Sequence, residues 1–290
     1  MTFTEDLKSG KIMIFDGGMG SLLAAKGLSL TGAVNNLQHP DKVREVHEEY
    51  IAAGADCIIT NTLTLNEIYM NKKGAAKIDI DAANQAGAEI AKKAAAGTGV
   101  YVFGDIGPTG EMLAPLGTGQ ADDFQRAYLR QARSLYEAGV DGFIIETVFD
   151  LNEALLALKA CKDLCGLPVI VSLTFSTVKK GGRTVMGNSA ADCAQKAAAA
   201  GADVVGTNCG DLSPEEMAQI VEFMKPAGLP LIVQPNAGKP VFDDGSAVYN
   251  MTPADFAAGI KSCLAAGAQL IGGCCGTTPQ HIATLAELTR

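Results

Sequence analysis

Tryptophan is absent from this 290-residue chain and histidine occurs only three times, at positions 39, 47 and 281. Histidine-driven general acid–base catalysis therefore has little to draw on. Cations are also in deficit, since 23 Lys and Arg against 32 Asp and Glu leave a net charge of -9. An acidic exterior repels phosphate backbones and anionic lipid, which argues against nucleic acid or a membrane surface as partner. No stretch approaches the roughly 20 apolar residues needed to span a bilayer. Residues 1–10 carry Glu5, Asp6 and Lys8 and lack the apolar segment of an export signal. The chain is expected in the cytoplasm, with a small molecule or another protein as its partner.

What the sequence does contain is a repeating phrase. Ala52-Ala53-Gly54-Ala55-Asp56, Glu137-Ala138-Gly139-Val140-Asp141, Ala199-Ala200-Gly201-Ala202-Asp203 and Ala265-Ala266-Gly267-Ala268-Gln269 each join an Ala-rich periodic stretch to a short apolar run. The Gly suits a left-handed helix C-cap and the apolar run a buried strand. Eight strands are predicted, at 12–15, 56–60, 100–104, 142–146, 168–173, 203–207, 230–234 and 269–272. Helices are predicted at 41–53, 81–96, 122–138, 152–164, 190–200, 214–225, 253–266 and 279–288. Pro214, Pro253 and Pro279 follow Ser213, Thr252 and Thr278, the order expected of an N-cap and first helical residue. Eight strand–helix pairs give an α/β fold, a single (β/α)8 TIM barrel over residues 1–290. A doubly wound sheet is disfavoured because Asp16-Gly17-Gly18-Met19-Gly20 does not match the dinucleotide-binding glycine pattern.

Segments leaving the strands are long, at 105–121, 174–189 and 235–252, whereas returns from helix to strand take a few residues. In such a barrel the long segments gather at one face, where active sites are built. Cys209, Cys274 and Cys275 fall on that face, after the sixth and eighth strands. Glycines beside them free the backbone, so the neighbouring Cys274 and Cys275 can aim both sulfurs at one point. Thiolates favour zinc, and three protein ligands leave a fourth position for water or substrate. The bland alternative is space-filling thiols, the reading adopted for Cys57, Cys193 and Cys263 in their apolar surroundings. Cys161 and Cys165 have no further ligand nearby. Without an export signal all eight cysteines are expected to be reduced.

Carboxylates are placed at the same mouth: Asp16 at the end of strand one, Asp105 after strand three and Glu146 at the end of strand four, with Asn61 and Thr62 after strand two. Metal coordination deprotonates an incoming thiol, closing a gap of about 2 kcal/mol for a thiol of ordinary pKa at pH 7. Asp16 and Glu146 then suit an ammonium group, held by charge-assisted hydrogen bonds. The substrate expected is an amino acid bearing a thiol. Salt bridges or helix caps remain the structural alternative for either carboxylate.

The motifs Phe15-Asp16-Gly17-Gly18-Met19-Gly20, Thr60-Asn61-Thr62, Gly104-Asp105-Ile106-Gly107-Pro108-Thr109-Gly110, Glu146-Thr147, Asn208-Cys209, Pro235-Asn236-Ala237-Gly238-Lys239-Pro240 and Gly272-Gly273-Cys274-Cys275-Gly276-Thr277-Thr278-Pro279 run along nearly the whole chain. In this order they resemble the homocysteine S-methyltransferase family, in particular the homocysteine-binding barrel of its cobalamin-dependent branch. The resemblance implies Zn2+ on Cys209, Cys274 and Cys275 with the homocysteine sulfur as fourth ligand. It implies that Asp16 and Glu146 hold the amino group, that Asn61 and Thr62 lie near the carboxylate, and that Asn236 approaches the metal when substrate is absent. No folate or cobalamin domain is expected after the barrel, and Gly210 stands where that branch often has Ser. A betaine donor is disfavoured, because its quaternary ammonium wants an aromatic cage and the segment after strand two reads Leu63-Thr64-Leu65-Asn66. The methyl donor is expected to be a small molecule such as a sulfonium compound, or a corrinoid protein. Alternatives are methyl transfer or demethylation on another thiol or thioether, and a homocysteine-presenting module that needs a partner. The Ala-rich helix faces are able to pack against a second copy, so a homo-oligomer stays open.

Overall fold

The computed structural model describes residues 2–28, 32–72, 78–243 and 246–290. Eight parallel strands form one sheet: β1 (Met13–Ile14), β2 (Cys57–Ile59), β3 (Tyr101–Ile106), β4 (Gly142–Val148), β5 (Val169–Leu173), β6 (Val204–Asn208), β7 (Leu231–Gln234) and, after a small hairpin of β8 (Val241–Asp243) and β9 (Ser246–Val248), β10 (Leu270–Ile271). The sheet order is β1-β10-β7-β6-β5-β4-β3-β2. A parallel bridge between Phe15 and Cys57 closes it, supported by bonds from Asp56 N–H to the Ile14 carbonyl (2.7 Å) and from Asp16 N–H to the Cys57 carbonyl (3.0 Å). The result is the (β/α)8 barrel expected from the repeats.

Each predicted strand and helix is present, with ends shifted by one or two residues. β3 and β4 extend to Ile106 and Val148, so Asp105 and Glu146 lie inside strands and not at or beyond their ends. The four punctuating glycines, Gly54, Gly139, Gly201 and Gly267, have φ of 102, 84, 94 and 109°. Only a residue without Cβ enters this region cheaply, which is why each helix stops there. Ser213 and Thr252 cap their helices through Oγ, accepting from the N–H of Glu216 and Asp255.

Strand periodicity divides the barrel interior into layers. Met13, Phe15, Cys57, Ile59, Phe103, Ile144, Ile170, Val204, Ile232 and Leu270 fill the lower lumen. The short helix Phe3–Lys8, which the sequence reading did not anticipate, plugs its floor: the Phe3 ring meets Phe103 edge-on at 4.7 Å and Tyr101 at 5.7 Å. Two residues further along the strands the lumen turns polar, with Asp105, Glu146, Ser172 and Gln234 all buried, and Asn208, four residues after Val204, is buried as well. That polar layer is the floor of the site. Among the described residues no helix is long and apolar enough to cross a membrane.

Candidate metal centre

The three cysteines predicted to act together do meet. Their sulfurs all lie within 4.8 Å of one another, with Cys274 and Cys275 at 4.0 Å, and all eight cysteines are free thiols. Zinc–sulfur bonds of about 2.3 Å in a tetrahedron require sulfur separations of about 3.8 Å, so this donor set needs little movement to grip one ion. Cys209 follows directly on β6 with φ 57°, in the left-handed region that a side chain enters only under constraint. Its N–H is tied to the Gln234 carbonyl (3.1 Å), which supplies that constraint. Gly210 continues the turn at φ 74°, and a Cβ there would stand 2.9 Å from the Thr174 methyl.

Backbone bonds likewise fix the paired cysteines. Cys274 N–H donates to the Pro235 carbonyl (2.8 Å), and the Cys275 carbonyl accepts from Ala237 N–H (3.0 Å). The loop also packs against the segment after β1. Thr277 Oγ1 accepts from Gly18 N–H (3.0 Å) and donates to the Cys274 carbonyl (2.7 Å). Cβ atoms at Gly17 or Gly273 would fall 2.5 or 2.3 Å from that same Thr277 Oγ1. These glycines are needed for close approach, which explains the Gly-rich phrases at both ends of the chain.

Within the triad the hydrogen bonds favour a thiolate on one sulfur over the other two. Hydrogen bonds from Cys209 and Cys274, helped by the Tyr249 hydroxyl and opposed by burial, bring Cys275 down to about 3. For Cys209 a bond from Cys274 favours the thiolate, but donation to Cys275 and burial outweigh it and push it up to about 12. Cys274, donating to Cys209 and Cys275, is also raised. A divalent cation would reverse this by stabilising all three thiolates at once.

The carboxylates show the complementary pattern. Burial, then the charge near Cys275, pushes Glu146 up to about 8. Burial also raises Asp16 and Asp105 despite the Ile59 N–H donated to Asp16 Oδ2 (2.9 Å), and each feels the charge of Glu146. Asp105 feels both Asp16 and Glu146, and Asp16 feels Glu146, so these buried carboxyl groups disfavour one another's charged forms. Glu146 precedes Thr147, at φ 60°, where the β4–β5 register shifts between Ile145 and Val148. The Asn208 side chain holds this bend, accepting from Thr147 N–H (3.0 Å) and Ser172 Oγ (2.9 Å) and donating to Thr147 Oγ1 (2.8 Å).

Asn61, Thr62 and Asn236 also lie at this face. Asn61 donates to Asn36 Oδ1 (2.9 Å), and the Thr62 hydroxyl is bonded to the Asp105 carbonyl (2.8 Å). Asn236 donates to the Gly210 carbonyl (2.7 Å), leaving a buried Oδ1 with no partner beside the cysteine loop. Two residues carry weight that the sequence reading did not assign. Asp105 was placed at the mouth without a role, and Tyr249 escaped notice because only the fold brings the 235–252 segment back over Gly276. Periodicity could have found Asp105, which stands two residues after inward-facing Phe103.

Residues 13–289 match the family model described as homocysteine S-methyltransferase. The chain belongs to the homocysteine S-methyltransferase family. Methionine synthase of Mycobacterium tuberculosis is 31% identical to it over 301 residues, covering 97% of this chain and 25% of that protein. Methionine synthase of Mycobacterium leprae is 31% identical over 296 residues, covering 95% and 24%. This family member thus spans about a quarter of the length of the curated relatives it matches. The crystal structure of the homocysteine methyltransferase MmuM from Escherichia coli, metallated form, superposes with a TM-score of 0.79 at 26% identity, covering 96% of both chains.

Proposed function

We propose that this chain is a zinc-dependent homocysteine S-methyltransferase that converts homocysteine to methionine. The observation that carries the reading is the convergence of three reduced sulfurs within 4.8 Å at the barrel mouth. Cys209, Cys274 and Cys275 would hold the ion, and the unpartnered Asn236 Oδ1 offers an oxygen donor for its fourth position before substrate arrives. Bound there, zinc supplies a Lewis acid that keeps an incoming thiol deprotonated at neutral pH. Binding of the ammonium falls to Asp16 and Glu146, with Asp105 behind them; its positive charge offsets the repulsion that raises all three carboxyl groups. Asn61 and Thr62 border the substrate carboxylate. In the transfer a bond forms between substrate sulfur and methyl carbon as the donor's bond to that carbon breaks, the donor's leaving atom keeping the electron pair.

Two sources of methyl suit the site, a small sulfonium compound such as S-methylmethionine or a methylated corrinoid protein. Likeness to the homocysteine methyltransferase MmuM and to the methionine synthases supports homocysteine as the acceptor with either source. Reduced thiols are kept in the cytoplasm, which both versions require. Metal analysis combined with a donor screen tests the proposal: one zinc per chain and homocysteine-dependent methionine formation with a free or corrinoid-bound donor are expected. Stoichiometric zinc that survives Cys275→Ala, together with no methionine from any donor, would overturn it.

A further inference from the structure

Glu153 is a buried carboxyl group that the proposed chemistry does not use. It stands 2% exposed in the first turn of the helix Leu151–Leu164, at the mouth end of the barrel where the helix after β4 begins. A single oxygen, Oε1, accepts from Thr109 N–H (2.8 Å), Thr109 Oγ1 (2.7 Å) and the Tyr128 hydroxyl (2.8 Å). These three donors are neutral, and Thr109 and Tyr128 are themselves fully buried. Burying a carboxyl group against neutral partners is costly, and packing alone would be served better by an apolar side chain. What the three bonds do is fix the position of Thr109.

Thr109 anchors the segment 107–110, which continues the β2–β3 pairing past the ends of both strands. Asp105 N–H donates to Thr60 Oγ1 (2.9 Å), and the Thr62 hydroxyl donates to the Asp105 carbonyl (2.8 Å). The next rung runs from Gly107 N–H to the Leu63 carbonyl (2.7 Å), an approach so close that a Cβ on Gly107 would fall 2.5 Å from that oxygen. Asn66 Nδ2 then donates to the Pro108 carbonyl (3.3 Å). Tyr128 and Gln131 stand three apart on the helix Ala121–Glu137 and so share a face. Tyr128 holds Glu153, and Gln131 Nε2 donates to the Thr62 carbonyl (2.8 Å). The segment that carries Asn61 and Thr62 is therefore gripped from two sides, and both lead back to Glu153.

We propose that Glu153 is a positioning residue that, through Thr109 and the 107–110 segment, sets the Asn61–Thr62 edge of the pocket for the carboxylate of homocysteine. The proposal rests on the placement of Asn61 and Thr62 beside that carboxylate given above. Calorimetric titration of the zinc-loaded full-length chain tests it without any methyl donor. The two ligands are homocysteine and aminopropanethiol, which keeps the thiol and the amine and lacks the carboxylate. The wild type is expected to prefer homocysteine. In Glu153→Leu the affinity for homocysteine should fall about tenfold, the factor that corresponds to about 1.4 kcal/mol, while zinc content and the affinity for aminopropanethiol keep their wild-type values. Glu153→Gln retains Oε1 as acceptor for the same donors and should restore homocysteine binding. Thr109→Val removes one donor, leaves Glu153 in place and should also weaken homocysteine alone; it carries the test if Glu153→Leu does not fold. A role confined to stability weakens both ligands equally or neither, and either result overturns the proposal, as does Glu153→Gln binding as weakly as Glu153→Leu. A wild type with equal affinity for the two thiols defeats the placement of Asn61 and Thr62 and this inference together, whereas a wild-type preference that survives in Glu153→Leu and Thr109→Val defeats this inference alone.

Discussion

Cys209 and Thr147 both occupy left-handed backbone positions that cost a side-chain-bearing residue about 1–2 kcal/mol, and both border the site. Asn208 links them, preceding one in sequence and bonding the other through its amide. The strain is thus maintained by the same network that aims Glu146 and the first sulfur into the lumen. Replacing Glu146 by Gln keeps the shape and removes the charge available to an ammonium group. Its hydrogen bond to a cation is worth about 1.5–3 kcal/mol, so KM for homocysteine should rise about 10- to 100-fold while bound zinc stays constant. Steady-state kinetics with parallel metal analysis would read this, and an unchanged KM would remove Glu146 from the substrate pocket. The three sulfurs and the acids at Asp16 and Glu146 were legible as candidates because glycine-flanked cysteines and strand-end carboxylates stand out in a sequence. Tyr249 was not, since its meaning depends on a ring crossing Gly276 from another loop.

Secondary-structure elements were legible wherever a local rule enforced them. Gly54, Gly139, Gly201 and Gly267 end helices, Ser213 and Thr252 start them, and the eight apolar runs became the eight barrel strands. The helix Phe3–Lys8 and the β8–β9 hairpin were not, because the first is stabilised by packing under the barrel and the second is too short to show a pattern. Strand interiors also hide contacts that periodicity does not reveal. A Cβ at Gly206 would fall 2.0 Å from the Ile232 carbonyl oxygen, in the partner strand's backbone, which cannot rotate aside. Gly206→Ala should therefore destabilise the fold by at least about 1–3 kcal/mol, the cost of overpacking a close-packed core. Chemical denaturation would show this as a lowered midpoint, and a midpoint equal to that of the wild type would refute the contact.

At the scale of the whole molecule the barrel couples burial to protonation. His47 is fully buried with neither ring nitrogen partnered, and burial pushes it down to about 3. Its folded pKa lies below the unfolded value of about 6.5. The stability this confers is therefore complete above about pH 6.5 and is lost as pH falls toward 3. Thermal melting at pH 7 and pH 4 should show a larger loss for the wild type than for His47→Leu; equal losses would contradict the assignment. The barrel was legible because its repeats are local, while the assembly of one site from residues 16, 146, 209, 249 and 275 is not, and only closure of the sheet through Phe15 and Cys57 makes it.

Zinc-edge X-ray absorption on the purified chain, with and without homocysteine, tests the central claim most directly. One ion per chain bound by the three sulfurs that converge at the mouth, gaining a fourth sulfur when homocysteine is added, is the predicted result. A chain that takes up no stoichiometric zinc, or whose sulfur count is unmoved by homocysteine, would contradict the account.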